Sequence, residues 1–251
     1  MKLEDLRKIT FFIEDSDGVW LKAKAQELIP IDLEGFWSPD APMRILIGAH
    51  GTSLWFHDQK VFEVNLALDL KRHHYFYKNH SIVKEHFAKA VGIKQGYRPK
   101  VLDTTAGHLS DAMLLYSWGC DIVCYERHLV QFMVMKVELL RSSLFDFKYF
   151  WGCSSELQDM SSFDCVYFDP MFSHVSEKTK SKKNIEWMRD FLGADEDQFL
   201  VAQKLFEQTR GRLVIKRSLK SDELIKGPSL VFHGKGHRFD VYLKDNKKKL
   251  C

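Results

Sequence analysis

The sequence predicts an α/β fold: a mostly parallel sheet that ends in an antiparallel hairpin, preceded by a small β-rich region. Three observations carry this expectation. From about residue 100, short apolar runs alternate with helical stretches, the pattern of strands joined by crossover helices. Near the end, Ser229-Leu230-Val231-Phe232 and Arg238-Phe239-Asp240-Val241-Tyr242-Leu243 flank His233-Gly234-Lys235-Gly236-His237, as the two arms of a hairpin flank its turn. Before residue 70 there is no such alternation. Instead, β-prone runs at 10–13, 44–48, 53–56 and 61–64 are separated by turn signals such as Asp15-Ser16-Asp17-Gly18.

Each element follows from its own pattern. The four early runs suit a small sheet or sandwich. Residues 82–93 place Val83, Phe87 and Val91 at helical spacing with the small Ala88 and Ala90 between, so one helix is expected there, ended by Gly92 or Gly96. Strands are expected at 100–103, 121–126, 147–151, 164–169 and 212–216, and helices at 110–118, 129–142, 184–191 and 196–209. The expected organisation is a β-rich subdomain over 1–75, a helical linker over 76–99 and the main domain over 100–251.

Composition narrows the class. A chain of 251 residues suits one large domain, or one with a smaller appendage, and 45% hydrophobic residues can bury a sizeable core. The net charge of +3 is too small by itself to point to nucleic acid. The five cysteines form no CxxC pair and have no matching histidine cluster, so reduced cytoplasmic thiols are expected rather than disulfides or a metal site. Met1 to Lys8 mixes both charge signs without an apolar core, and no apolar run nears the ~20 residues of a membrane span. Neither a secretory signal nor a membrane partner is therefore expected.

The chemistry gathers at strand ends. Val101-Leu102-Asp103-Thr104-Thr105-Ala106-Gly107 closes the first main-domain strand, and in open α/β sheets ligands bind beyond such carboxyl ends. Gly107 lets the backbone approach a ligand closely. The residues that follow, His108-Leu109-Ser110-Asp111, lack the GxGxxG fingerprint, which argues against a pyrophosphate cofactor. S-adenosylmethionine carries no phosphate and tolerates a looser turn. Two roles fit Ser110 and Asp111, cofactor contact or helix N-cap. Glu126, nineteen residues after Gly107 and at the end of the next strand, suits both hydroxyls of a ribose. Arg127 beside it packs along an adenosine or pairs with Glu126. Gly152-Cys153-Ser154-Ser155 is either a loop facing an adenine edge or a serine-rich turn.

The strongest signal is Asp169-Pro170-Met171-Phe172, directly after the apolar run 165–168. It has the shape of the (Asn/Asp/Ser)-Pro-Pro-(Tyr/Phe) motif of amino-group methyltransferases, with Met in the third place. An aromatic amine is a poor nucleophile because its lone pair is delocalised into the ring. Hydrogen bonds from its N–H groups to the Asp169 carboxylate and the Pro170 carbonyl would orient it and stabilise the positive charge that develops on nitrogen. Phe172 would stack on the base, worth about 1–3 kcal/mol. Basic residues follow several strand ends: Lys178, Lys180, Lys182 and Lys183, then Lys216, Arg217 and Lys220, then Lys235 and Arg238. Lys216, Arg217 and Arg238 are the candidate RNA phosphate contacts.

A parallel sheet closed by an antiparallel hairpin characterises the class I methyltransferases. With the motifs placed, the chain resembles the J-type family of bacterial small-subunit (16S) ribosomal RNA guanine-N2-methyltransferases, from about Asp69 to Leu243. The matching stretches are Ala88-Lys89-Ala90-Val91-Gly92-Ile93, 103–107, Asp111-Ala112, Glu126-Arg127, 169–172 with His174, Val214-Ile215-Lys216-Arg217 and 236–242. The resemblance implies a Rossmann-like seven-stranded sheet and methyl transfer from S-adenosyl-L-methionine to a guanine N2 amine, with small-subunit rRNA or the 30S particle as partner. Carried over by position, Ser110, Asp111, Glu126, Arg127, Ser154, Ser155 and Asp169 would touch the cofactor, joined by Asp103 and Gly107 from the strand-end reading. Asp169, Pro170 and Phe172 would hold the base. The family has Gly-Leu-Gly-Arg where this chain has Gly107-His108-Leu109-Ser110, which leaves the form of that turn and its contacts open. Two rivals remain on sequence alone. One is the same chemistry on adenine N6 or a protein glutamine, and the other is a non-catalytic RNA-binding module of ribosome assembly.

Overall fold

The computed structural model describes residues 9–13, 43–48, 50–77, 81–142, 148–170 and 197–244. In chain order, the first elements are β1 (Ile9–Ile13), β2 (Met43–Gly48), β3 (Gly51–Phe56), β4 (Gln59–Val64), α1 (Leu66–Tyr77) and α2 (His86–Val91). Then come β5 (Lys100–Asp103), α3 (Ser110–Ser117), β6 (Asp121–Glu126), α4 (Leu129–Ser142), β7 (Lys148–Trp151) and β8 (Cys165–Phe168). The last are α5 (Gln198–Gln208), β9 (Arg212–Ser218), β10 (Leu230–His233) and β11 (His237–Leu243). The described residues fall into two compact units, one with β1–β4 and α4, the other with β5–β11, α2, α3 and α5. The division falls within α1, after Lys71. The helix expected at 184–191 lies outside the described residues.

The first unit is a four-stranded sheet in the order β1-β2-β3-β4, with β1 parallel to β2 and the other neighbours antiparallel. Strand periodicity makes it one-sided: Met43, Ile45 and Ile47 on β2 are buried while Arg44, Leu46 and Gly48 between them are not. Helix α4 packs on β3 and β2 and brings a carboxylate into the interior. Glu138 is 0% exposed. Its Oε2 accepts from the Thr52 hydroxyl at 2.9 Å and its Oε1 from the Leu66 backbone N–H at 3.1 Å, and Arg141 grips both oxygens at 2.7 Å. One charge thus ties β3, the start of α1 and α4 together, and its acceptor sites are filled, the condition for burying it.

The second unit holds a seven-stranded sheet in the order β10-β11-β9-β8-β5-β6-β7. Strands β5 to β9 pair in parallel, and β11 and β10 run antiparallel at the end. This is the α/β sheet with terminal hairpin that the sequence predicts. From β5 the chain builds outward through β6 and β7, then returns to the other side of β5 with β8 and β9. The reversal leaves a crevice outside the carboxyl ends of β5 and β8, the place where such sheets bind ligands.

Near-continuous apolar strands bury both faces. On one face Leu102, Val166, Leu213 and Ile215 meet Val201, Ala202 and Leu205 of α5. On the other, Phe87 of α2 stacks on Phe239 and lies against Tyr167, both with ring centroids at 5.0 Å. Each fully buried large side chain contributes roughly 1.5–3 kcal/mol.

Three local differences from the sequence expectation have physical causes. The helix expected over 82–93 is split into a 3-10 turn, Ile82–Lys84, and α2, with Glu85 extended between them (φ −65°, ψ 137°). β-Branched Ile82 and Val83 favour helix weakly, and Ser81 makes no side-chain cap. Gly92 does end the segment: at φ 95° it adopts the left-handed turn that closes α2, its N–H reaching the carbonyls of Ala88 and Lys89. Helix α1 carries Lys71-Arg72-His73-His74 and was not predicted, because its polar run hides the apolar spacing. Strand β9 extends two residues beyond 212–216, because β11 pairs along all of it, from His237 opposite Ser218 to Leu243 opposite Arg212.

The hairpin contains a second buried ion pair. Asp240 is 0% exposed, and Arg238 meets both its oxygens at 2.8 and 3.2 Å. The same guanidinium donates to the carbonyls of Ser218, Leu219 and Ser221, strapping the loop after β9 to β11.

Two outcomes follow. Glu138→Ala strips Thr52, Leu66 and Arg141 of this acceptor and should lower unfolding stability by about 3–5 kcal/mol in urea titration, whereas a change below about 1 kcal/mol would contradict the bracing role. Arg238→Met leaves the Asp240 carboxylate buried and unpaired, and a loss of similar size is expected by the same measurement.

Candidate active site

Backbone hydrogen bonds draw the carboxyl ends of β5, β6 and β8 together. The Thr104 N–H and hydroxyl both donate to the Tyr167 carbonyl, at 2.9 and 2.6 Å. The Asp169 N–H donates to the Thr105 hydroxyl oxygen at 2.7 Å, and the Ala106 N–H to the Tyr125 carbonyl at 3.0 Å. Asp103 is buried at the end of β5 and accepts from the Thr105 N–H at 3.1 Å. Burial pushes its carboxyl well above the usual range. The Thr105 hydrogen bond opposes this, while the nearby charges of Asp111, Asp169 and Glu126 add to it.

The unusual turn 107–110 is well formed. Glu126, buried at the end of β6, accepts the Gly107 N–H at 2.9 Å. Gly107 has φ +50°, and the buried Leu109 also takes a left-handed backbone, φ 59°, at the N-cap of α3. Ser110 is therefore the first residue of the helix and exposed, not its cap. The cap alternative for the Ser110-Asp111 pair is corrected accordingly. The reason is geometric: the Leu109 N–H closes a tight bond to the Ala106 carbonyl at 2.7 Å, which swings the chain into α3 one residue early.

Asp111 belongs to a charged network. Its Oδ2 accepts the Tyr167 hydroxyl at 2.6 Å and the Lys216 ammonium at 2.9 Å. The same ammonium donates to Asp169 Oδ2 at 2.9 Å. Burial works against the Lys216 charge, but Asp169 and Asp111 outweigh it and hold its pKa above the ordinary value. Burial pushes the Tyr167 hydroxyl well up, with the carboxylates of Asp111 and Asp169 adding to the effect, so it remains a donor. Pro170 is buried next to Asp169. Phe172 lies outside the described residues.

The remaining expected residues are placed as follows. Arg127 Nη1 meets both oxygens of Asp197, next to the start of α5, at 2.9 and 3.0 Å. Ser154 is buried, with its hydroxyl donating to the Thr104 carbonyl at 3.4 Å, and Ser155 lies 3.0 Å from the Cys153 sulfur. Thr104, Thr105, Arg127, Cys153, Ser154 and Asp197 line one crevice, floored by Phe168 and Val201. The crevice brings Arg127 and Ser154 together.

The three candidate phosphate contacts are not presented to solvent as expected. Lys216 is held between two carboxylates, as above. Arg217, 6% exposed, donates to the Asp222 carbonyl and the Gln198 side-chain oxygen, both at 3.1 Å. Arg238, 8% exposed, is committed to Asp240 and the loop carbonyls. The extension of β9 explains this. Lys216 and Arg217 stand inside the strand and alternate to opposite faces, one reaching the crevice and the other α5.

Sequence reasoning missed Thr104, Thr105 and Tyr167. The paired threonines after a strand were a usable signal. Tyr167 was hidden in an apolar run, where nothing distinguishes a core ring from one whose hydroxyl reaches the site. Among the described residues no group of three or more His, Cys, Asp or Glu is arranged to hold a metal, and no helix is long and apolar enough to cross a membrane.

Comparison with known proteins agrees with this architecture. Residues 34–244 match the sequence model of a family described as "Putative SAM-dependent methyltransferase". A ribosomal RNA small subunit methyltransferase J of Shewanella sp. (strain ANA-3) is 36% identical over 174 residues, 64% of this chain and 66% of that protein. Its counterpart in Histophilus somni (strain 2336) is 33% identical over 175 residues, 64% of this chain and 68% of that protein. For the one in Coxiella burnetii (strain Dugway 5J108-111) the figures are 33% over 166 residues, 62% of this chain and 65% of that protein. The chain thus spans about two thirds of the length of these relatives. The crystal structure of a SAM-dependent methyltransferase from Neisseria gonorrhoeae superposes with a TM-score of 0.64 at 20% identity, covering 96% of this chain and 98% of that one, which shows the shared fold. The chain belongs to the family of S-adenosylmethionine-dependent methyltransferases that includes the small-subunit ribosomal RNA methyltransferases J.

Proposed function

We propose that the protein methylates the exocyclic N2 amine of a guanine in small-subunit ribosomal RNA, as free rRNA or in the 30S particle, with S-adenosylmethionine as methyl donor. The observation that carries the reading is Asp169. Its carboxylate stands at the switch-point crevice, next to Pro170, with its backbone pinned by Thr105 and one oxygen fixed by Lys216.

The residues present suit the donor. S-adenosylmethionine bears a sulfonium and an ammonium, and Asp103, Asp111, Glu126 and Asp169 make the strand ends rich in carboxyl groups. The hydroxyls of Thr104, Thr105 and Ser154 line the adjoining crevice, and Phe168 and Val201 provide an apolar floor for a planar base. Glu126, Arg127, Ser154 and Ser155 would hold the adenosine part, with Asp103, Gly107, Ser110, Asp111 and Asp169 toward the methionine part. When bound, the donor supplies an electrophilic methyl group.

The chain's own task is positioning. Asp169 and the Pro170 carbonyl accept hydrogen bonds from the amine, which limits delocalisation of its lone pair into the ring and favours the charge that builds on nitrogen. Holding the amine in line with the methyl group removes much of the entropic barrier. Phe172 stacks on the base. A strong base is not needed, because an N-methylated arylammonium loses its proton to water readily. The ordered turn 107–110, with Gly107 bound to Glu126, supports a working cofactor site over a non-catalytic module.

Two measurements test this. Calorimetric titration is expected to show binding of S-adenosylmethionine and S-adenosylhomocysteine but not NAD, and Asp169→Ala should cut turnover on small-subunit rRNA by about 100-fold or more while the mutant still binds cofactor. Near-normal turnover in that mutant would remove Asp169 from its role. In nucleosides from rRNA of cells lacking the gene, mass spectrometry should show loss of N2-methylguanosine, and loss of N6-methyladenosine instead would transfer the chemistry to adenine.

A further inference from the structure

Lys216 was expected at a strand end facing RNA phosphate. It lies inside β9 instead, 23% exposed, with its ammonium 2.9 Å from Asp111 Oδ2 and 2.9 Å from Asp169 Oδ2. Asp111 is itself anchored by the buried Tyr167 hydroxyl at 2.6 Å. An ammonium has three donors in a tetrahedral arrangement, so two carboxylates at equal distance set its position and, in return, theirs.

We infer that Lys216 is a positioning residue for methyl transfer: it holds the Asp169 carboxylate ionised and aimed at the amine, with Asp111 and Tyr167 as the fixed mount from which it does so. The inference rests on the amine-methylation reading above. It assigns Lys216 no contact with RNA.

Carboxyl groups crowd the two ends of this bridge. Asp103 of β5 feels Asp111, Asp169 and Glu126, and the Tyr167 hydroxyl of β8 feels Asp111, Asp169 and Asp103. His237 of β11 senses both Lys216 and Asp111, with His86 of α2 beyond it. Burial first, and then the Lys216 charge, hold His237 below its usual pKa. Lys216 donates directly to Asp169, so removing it takes an opposite charge from beside that carboxylate and shifts it toward the protonated form. A protonated Asp169 would present a donor to an amine that itself needs an acceptor. Asp111 has the opposite effect, since it competes for the same ammonium and adds a repelling charge.

The two neighbours of Asp169 should therefore displace the acidic limb of the pH–rate profile in opposite directions. At saturating RNA and cofactor, Lys216→Met is expected to lower kcat by about 30-fold or more and move the acidic limb up by about one pH unit or more, the range for losing an adjacent opposite charge. Lys216→Arg should return the limb toward its wild-type position. Asp111→Asn keeps an acceptor for Tyr167, releases Lys216 wholly to Asp169, and should move the limb down. A loss of folded protein does not produce opposite shifts, and Asp111→Asn still tests the idea if Lys216→Met fails to fold. An unmoved limb in either folded variant overturns the inference. So does a raised KM for RNA with unchanged kcat in Lys216→Met, which would mark a phosphate contact. Wild-type protein that binds cofactor but methylates no rRNA would instead sink the proposed function, and these outcomes are separable because every assay includes the wild-type profile.

Discussion

Tyr167 is the residue on which the core and the site both depend. Its ring packs against Phe87 in the sheet interior, its carbonyl receives two hydrogen bonds from Thr104, and its hydroxyl holds Asp111. A buried hydroxyl must find a partner, since leaving it unsatisfied costs about 1–3 kcal/mol. The position of Asp111 is therefore set by the packing of an aromatic ring rather than by a flexible surface helix. Through Lys216 that constraint reaches Asp169, so the acceptor proposed for the amine inherits its place from the core. Preorganised acceptors of this kind are what electrostatic catalysis requires, because they do not reorganise as charge develops.

The two buried acids outside the site show the same logic used for stability. Glu138 and Asp240 are each gripped by an arginine and satisfied by further donors or strapped loops. Asp103, by contrast, is buried with one backbone N–H and with other carboxylates nearby, and its pKa rises as a result. The contrast is one of environment: the two structural acids each bond an arginine, whereas burial and neighbouring carboxylates together hold the Asp103 carboxyl above its usual range.

Much of the fold was legible in the sequence because its strands are buried on both faces and read as unbroken apolar runs, as in 101–103 and 165–168. The terminal hairpin was legible from the glycine-flanked turn between two β-prone arms. Helix α1 was not, because its row of basic residues and histidines gives no clear apolar stripe. The strand-end position of Asp103, Glu126 and Asp169 was legible because each acid closes an apolar run. What was not legible was partner choice. Arg127 takes Asp197 across 70 residues of chain, and no local pattern encodes that.

The basic residues near the end of β9 show why charge position along a chain is a weak guide to charge position in space. Lys216, Arg217 and Arg238 look like a rim that faces a polyanion if β9 stops at residue 216. Pairing with β11 carries the strand on to Ser218, and the period-two alternation then decides each side chain's fate. Lys216 falls on the face that meets Asp111, Arg217 on the face that meets Gln198, and Arg238, directly opposite Arg217, must find a carboxylate of its own. The repulsion between those facing arginines, added to burial, lowers the pKa of Arg217. The pairing is tolerable because Asp240 sits two residues along the same face of β11. A strand β9 two residues longer than its hydrophobic pattern suggests thus turns an apparent charged rim into a set of internal contacts.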